Sequence, residues 1–379
     1  MQTSLYRLID NNLVSHSVGK PVDETTINLV LGFGAKSVLQ KEGIYKIIQA
    51  KFPAAQIALC TTAGEIYQDE VFDNSLIVTA IQFDHTNIRT SSVNIKDYQS
   101  SYAAAIGLAK KIAPEDLVYV LIISDGSLVN GSELVKGLTT QIDRKVLITG
   151  GLAGDGANFD STLVGLNKQP EQGEMIAIGF YGSKLKVTHG SQGGWDIFGL
   201  EKTVTNSSGN VLVELEEQNA LELYKKYLGE QAKNLPSSAL LFPLSVTIPG
   251  AKKPVVRTIL SINEEDKSMT FAGDIPVGSK VRFMKANFDK LTMAASEAAH
   301  HTMMDENTKP GFSLLVSCVG RKLILGARTD EEVKAVSKSF DTKTILAGFY
   351  SYGEISPFNE GGSCQLHNQT MTITSFYES

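Results

Sequence analysis

The sequence predicts an α/β chain of mixed α+β character: two tightly associated domains with extended sheets, helices on their outer faces, and repeated strand-helix-strand-Gly turn-strand units. Three observations lead there. Short β-branched and apolar runs alternate with amphipathic stretches of helical period. A unit of one pattern recurs three times along the chain. The length, 379 residues with 42% hydrophobic and 20% charged side chains, suffices for two to three domains of roughly 150 residues.

Taken in order, 27–31 reads as a buried strand, 38–52 as a helix, 56–60 and 75–83 as strands. The Ala-rich stretch 100–112 is helical, and Pro114 and Asp116 end it before the strongly apolar strand 117–123. A helix over 133–141, a strand over 145–149 and closely spaced strands over 162–205 follow. Ser208 and Gly209 mark a hairpin, and a helix starts near Asn219. Pro236, Pro243, Pro249 and Pro254 punctuate a transition in which ALLFPLSV reads as a strand. Residues 312–321, 344–355 and 368–376 give further strands around a helix at 330–340.

Superposing these segments exposes the repeat. INLVLGFG, a helix, IALCTTAGEI and NSLIVTAI make one unit; VYVLIISDG, a helix, VLITGGLAGDG and STLVGLN make a second. FSLLVSCVGR, a helix, TILAGFYSYGEI and NQTMTITSF make a third. Each second strand runs into a Gly turn bearing one acid: Glu65, Asp155 or Glu354. Such turns bring backbone N–H groups and carboxylates to one sheet edge, a common ligand position. GGLAGDG is neither a Walker sequence nor a GxGxxG opening a helix, and its glycines serve close strand packing equally well.

Lys plus Arg number 35 against 41 Asp plus Glu, a net charge of -6, which argues against nucleic acid as a partner. The three cysteines, Cys60, Cys318 and Cys364, have no metal-ligand spacing and suit a reducing, cytoplasmic compartment. Residues 1–18 carry Arg7 and Asp10 and no continuous apolar segment, and 117–123 is too short to cross a bilayer, so no membrane partner is expected.

Read together, CTTAGEI (60–66), TGGLAGDG (149–156), GGW (193–195), TVTNSSGNVLVELEEQNALELYKKYLG (203–229), VSCVGR (316–321) and AGFYSYGEISP…LHNQT (347–370) resemble the FIST-domain family. These are bacterial sensory proteins with paired FIST N and FIST C domains. The resemblance spans nearly the whole chain, with a FIST N-like part over 25–230 and a FIST C-like part over 231–376. It implies a cytosolic input module of signal transduction that binds a small molecule, with amino acids suggested for the family. With no kinase, cyclase or methyl-accepting segment among these residues, it implies signalling through a separate protein such as a histidine kinase or cyclase. A homodimer is compatible with the sequence.

The candidate ligand residues follow the motifs. Thr61, Thr62 and Glu65 surround Gly64 and could hold an ammonium group, while Glu65 could equally cap a helix or pair with a lysine. Gly151, Gly154 and Asp155 form the second turn, where an Asx-type turn explains Asp155 as readily as ligand contact. Arg321 offers a planar fork for a ligand carboxylate, or for a salt bridge with Glu354 or another acid. Trp195, the single tryptophan, follows two glycines as a pocket wall or as packing between domains. Cys318, Arg321, Tyr352, Glu354, His367 and Asn368 form the corresponding C-terminal cluster.

Catalysis and metals have thinner support. Cys318 with His367 could be a nucleophile and base, or a buried thiol beside a hydrogen-bonded imidazole; no third orienting group is apparent. His300 and His301 are neighbours on a helix and diverge, and His16, His85 and His189 are isolated, so no metal is expected. Some FIST proteins bind haem and respond to nitric oxide, which makes His189 or His367 a possible axial ligand, although CxxCH is absent. A sensor predicts a pocket between Gly turns with oppositely charged anchors. An enzyme predicts a nucleophile–base pair there, and an interaction scaffold an exposed apolar patch.

Overall fold

Alternation along one strand sets the architecture. In Leu29–Gly34, the residues Leu29, Leu31 and Phe33 enter one apolar core and Val30 another, as the two-residue period of a strand requires. All six residues are buried, so the sheet is covered on both faces. The computed structural model describes every residue except 16–21, 113, 236, 252, 306–307, 341–342 and 359–360. Expectations placed on His16 and Pro236 therefore lie outside the described residues.

The strand Leu29–Gly34 runs parallel to Gln56–Thr61 and antiparallel to Leu76–Gln82. Leu117–Ser124 stands in the same relation to Leu147–Leu152 and Glu174–Tyr181, and Phe312–Cys318 to Ile345–Ser351 and Met371–Glu378. The threefold repeat is present in the fold, but the last strand of the second unit is Glu174–Tyr181 and not STLVGLN, whose Val164–Leu166 is the strand that follows the Gly turn. The strand after each Gly turn, however, leaves its own sheet. Glu65–Tyr67 pairs with Ile345–Ser351 of the third unit, Val164–Leu166 with Gln56–Thr61 of the first, and Gly353–Pro357 with Leu147–Leu152 of the second. Three six-stranded sheets thus exchange strands in a cycle.

Their inner faces share one core, to which Phe33, Tyr119, Phe180, Phe312, Phe349 and Phe376 contribute. The helices cover the outer faces: Ile44–Lys51 on the first sheet, Ser101–Ala109 and Gly131–Gln141 on the second, Phe288–His301 and Thr329–Ser339 on the third. A fourth, eight-stranded sheet spans 196–285 and encloses its own core around the helix Ala220–Leu228. Strands from both sides of residue 230 share three of the four sheets. The fourth sheet is tied to the rest through Arg257, which is buried and donates to the Leu366 carbonyl at 3.0 Å and the Asp274 carbonyl at 3.2 Å.

Two local expectations need correction. The helix over 38–52 is two helices, Lys36–Leu39 and Ile44–Lys51, because Gly43 takes a left-handed conformation (φ 90°) at the junction. In ALLFPLSV, Ser237–Leu241 is a 3-10 turn and the strand is only Leu244–Thr247. The amino-terminal hairpin Gln2–Ile9 with Asn12–Ser15 had no counterpart in the sequence reading. The helix Ala220–Leu228 does begin after Asn219, whose side chain accepts from the Glu222 N–H at 3.0 Å.

Candidate functional site

The three Gly turns meet. Ala63 N donates to the Tyr350 carbonyl at 2.8 Å, Gly154 N to Thr61 at 3.0 Å, and Tyr352 N to Leu152 at 3.1 Å, so each turn is bonded to the next unit's turn. Close approach demands small residues: a Cβ on Gly154 would stand 2.9 Å from Ala63 N, and one on Gly151 2.7 Å from a Val316 methyl.

Each turn's acid is bound by its own surroundings. Glu65 is 1% exposed and accepts from Thr62 Oγ1 at 2.6 Å, Ser75 Oγ at 2.7 Å and Ser75 N at 3.2 Å. Glu354, fully buried, repeats this with Ser351 Oγ at 2.7 Å, Thr370 Oγ1 at 2.9 Å and Thr370 N at 3.1 Å. Burial pushes Glu65 up to about 7 and Glu354 up to about 8, against the lowering effect of those bonds. Asp155 accepts from the backbone N–H groups of Phe159, Asp160 and Ser161 at 2.9 to 3.1 Å and from the Tyr352 hydroxyl, which is the turn geometry. Among the described residues, Glu65 thus neither caps a helix nor pairs with a lysine. Thr61 is buried, and its hydroxyl accepts from Leu163 N at 2.9 Å.

The C-terminal cluster is interior. Arg321 is fully buried and pairs with Glu332, not Glu354: Nη2 stands 2.7 Å and Nε 2.9 Å from the carboxylate, and the fork also reaches the Gly193 and Leu291 carbonyls. A guanidinium engaged on all sides has no free edge for a ligand. Trp195 donates from Nε1 to the Gln369 carbonyl at 3.0 Å. Cys318 is buried, and burial pushes its thiol up, while burial holds His367 down to about 4. The imidazole Nε2 lies 2.9 Å from the Ser356 carbonyl and the ring packs against Phe358 at 5.5 Å. A neutral thiol and an imidazole engaged elsewhere give no nucleophile–base arrangement. Asn368 is fully buried, with neither side-chain polar atom partnered among the described residues.

One cleft gathers residues from two turns. It has about 340 Å³ and is walled by Thr62, Gly64, Glu65 and Asp155 together with Lys36, Asp73 and Asn158. Lys36 begins the helix Lys36–Leu39 directly beyond the strand Leu29–Gly34, so strand and turn ends deliver it beside the acids. Its ammonium is 3.3 Å from Asp160 and 4.0 Å from Asp155 and contacts Ser161. Lys322 lies over Gly64, donating to the Ala63 carbonyl at 2.9 Å and pairing with Asp73. The sequence reading missed Lys36, Asp73 and Lys322; a cation immediately after a buried strand's carboxyl end was the available signal for the first. Thr61, Gly151, Gly154, Trp195, Cys318, Arg321, Glu354, His367 and Asn368 do not line this cleft, and Tyr352 borders another.

In the comparison with protein families, the FIST N domain matches residues 28–218 and the FIST C domain residues 220–357. The chain belongs to the FIST family. FIST domains are sensory domains of signal transduction. No curated protein matches this FIST chain. Among solved structures, a cyanuric acid hydrolase, titled an "evolutionary innovation by structural concatenation", aligns over 100% of this chain and 99% of its own at 9% identity and a TM-score of 0.30, too slight a likeness to carry an argument.

Of the histidines considered for haem, His367 does not fit, because its ring is enclosed as described. His189, the other, lines a cleft of about 600 Å³ with His301, Met303, Arg144 and Lys186. Among the described residues no group of three His, Cys, Asp or Glu is placed to hold a metal ion, and no helix is long and apolar enough to cross a membrane.

Proposed function

We propose that this FIST protein is a bacterial, cytoplasmic input module that binds a small zwitterion, an amino acid or a close relative, in the Lys36–Asp155 cleft. It passes the signal to a separate protein such as a histidine kinase or cyclase. The observation behind this reading is the presence, in one cleft of about 340 Å³, of an accessible ammonium on Lys36 and the carboxylates of Asp73 and Asp155. That volume falls within the usual range of small-ligand sites. An amino acid's carboxylate would sit at Lys36 and its ammonium at Asp73 and the Thr62 hydroxyl, each end meeting the opposite charge. Binding would redirect Lys36 from Asp160 and thereby alter the loop 156–161, a route from ligand to surface.

Calorimetric titration of the full chain with each of the twenty amino acids tests the reading. At least one should bind saturably, and Lys36→Ala and Asp73→Ala should each weaken it by about tenfold or more without unfolding the protein. Absence of any binding amino acid, or unchanged affinity in both variants, would overturn it. An absorption spectrum of the same preparation reports a haem Soret band.

A further inference from the structure

The loop that closes one side of the Lys36 cleft continues as Phe159 and Asp160 into the wall of a second cleft of about 400 Å³. This one lies between the fourth sheet, which contributes Asn210, Leu260, Phe271 and Gly273, and the carboxyl end of Leu117–Ser124, which contributes residues 126–131. Three large apolar side chains stand around it well exposed: Leu128 at 47%, Leu260 at 46% and Phe159 at 45%. Single exposed apolar residues need no account, but three around one concavity on two facing layers do.

Phe159 adds an independent observation. It holds φ 54°, a conformation that is costly for a bulky side chain. Its N–H is fixed there by Asp155 Oδ1 at 2.9 Å and the Tyr352 hydroxyl at 3.0 Å. The outcome is a ring stacked on Tyr352, with centroids 4.7 Å apart and planes 19° apart, yet nearly half in solvent. Strain that ends in an exposed aromatic platform is not explained by packing.

The lining is also poor in free charge. Asp160 is its one acid and is engaged by Lys36 and Ser161, while the Tyr352 phenol donates to Asp155 and is kept protonated by burial. Ser127, Asn130 and Asn210 provide uncharged polar groups. We propose that this cleft binds an uncharged planar aromatic or heteroaromatic small molecule, stacked on the Phe159–Tyr352 pair and closed over by Leu260. Because its walls come from two separate sheets, such a ligand would hold the fourth sheet against the threefold body. The proposal stands apart from the amino-acid reading.

The test uses the full chain and three probes followed by saturation-transfer NMR titration: indole, indole-3-acetate with the same ring and a negative charge, and cyclohexylmethanol, which is not planar. Indole is expected to bind saturably and about tenfold more tightly than either of the others. Leu260→Ala, on an exposed strand, and Phe159→Ala should each weaken it about fivefold or more, with circular dichroism unchanged. Asp73→Ala, at a residue that lines the Lys36 cleft and not this one, should leave indole binding as it was, which separates failure here from failure of the amino-acid site. No saturable indole binding, equal affinity for all three probes, or an unaltered Leu260→Ala variant would overturn the proposal. Should Phe159→Ala not fold, Leu260→Ala decides.

Discussion

Raising the pH from 6.5 to 8.5 ionises the two carboxyls stitched into the first and third turns. Glu65 and Glu354 titrate at about 7 and about 8 in the fold, against 4.5 for an ordinary glutamate. The folded state therefore holds protons that the unfolded chain has released. Their stabilising contribution is complete below about 4.5 and is lost as pH rises through 7 to 8. His367, held down to about 4 from 6.5, runs the other way: its contribution is present above 6.5 and lost as pH falls toward 4. Between 4.5 and 6.5 the two effects oppose each other; above 6.5 the His367 contribution is complete and no longer changes. Linkage gives a loss of about 1 kcal/mol from Glu65 and about 2 kcal/mol from Glu354 between pH 6.5 and 8.5, with the larger share at the deeper site. For a chain of this length that lowers the melting temperature by roughly 3 to 4 °C. Thermal melts of wild type, Glu65→Gln and Glu354→Gln at half-unit intervals should show Glu354→Gln removing most of the slope and the double variant nearly all of the carboxyl part. A Glu354→Gln protein with the wild-type slope would falsify the placement of a protonated carboxyl at that turn.

Arg321→Met should destabilise by about 3 to 5 kcal/mol in urea unfolding, because it strands the Glu332 carboxylate, and Arg321→Met/Glu332→Met should recover much of that loss. Asp155→Ala removes the acceptor for three backbone N–H groups, so hydrogen exchange at Phe159, Asp160 and Ser161 should quicken while exchange in Leu117–Ser124 stays unchanged. All three cysteines are buried, with thiols pushed up by burial, so a disulfide reagent should leave the native protein untouched for as long as denatured protein takes to react fully.

What was readable in advance follows how local each signal is. Leu117–Ser124 and Phe312–Cys318 announced themselves because buried strands are continuous apolar runs, and the Gly-acid turns because they recur. The amino-terminal hairpin did not: Gln2–Ile9 mixes polar and apolar residues, and its identity as a strand comes from pairing with Leu76–Gln82. The break at Gly43 was hidden by apolar residues that keep a helical period on both sides of it. At the site, Glu65, Thr62, Gly64 and Asp155 share one cleft. Arg321, by contrast, could not be assigned from spacing, since Glu332 lies one helix further on and competes with any ligand for the same fork. Lys36 and Asp73 belong to no motif; only the fold makes them neighbours.

The cyclic exchange of strands fixes a timetable for the ribosome. The arm Glu65–Tyr67 has its seat on Ile345–Ser351, and Gln68 bonds to Leu346 across a separation of 278 residues. At about 5 to 20 residues per second, that arm waits roughly a quarter of a minute or longer for its berth to be synthesised. Throughout that interval Ile66, Tyr67 and Phe72 sit on an unfilled strand edge, the kind of surface that recruits chaperones or neighbouring nascent chains. The ring closes only once the third unit has emerged, so a truncation inside that unit leaves the first unit open as well.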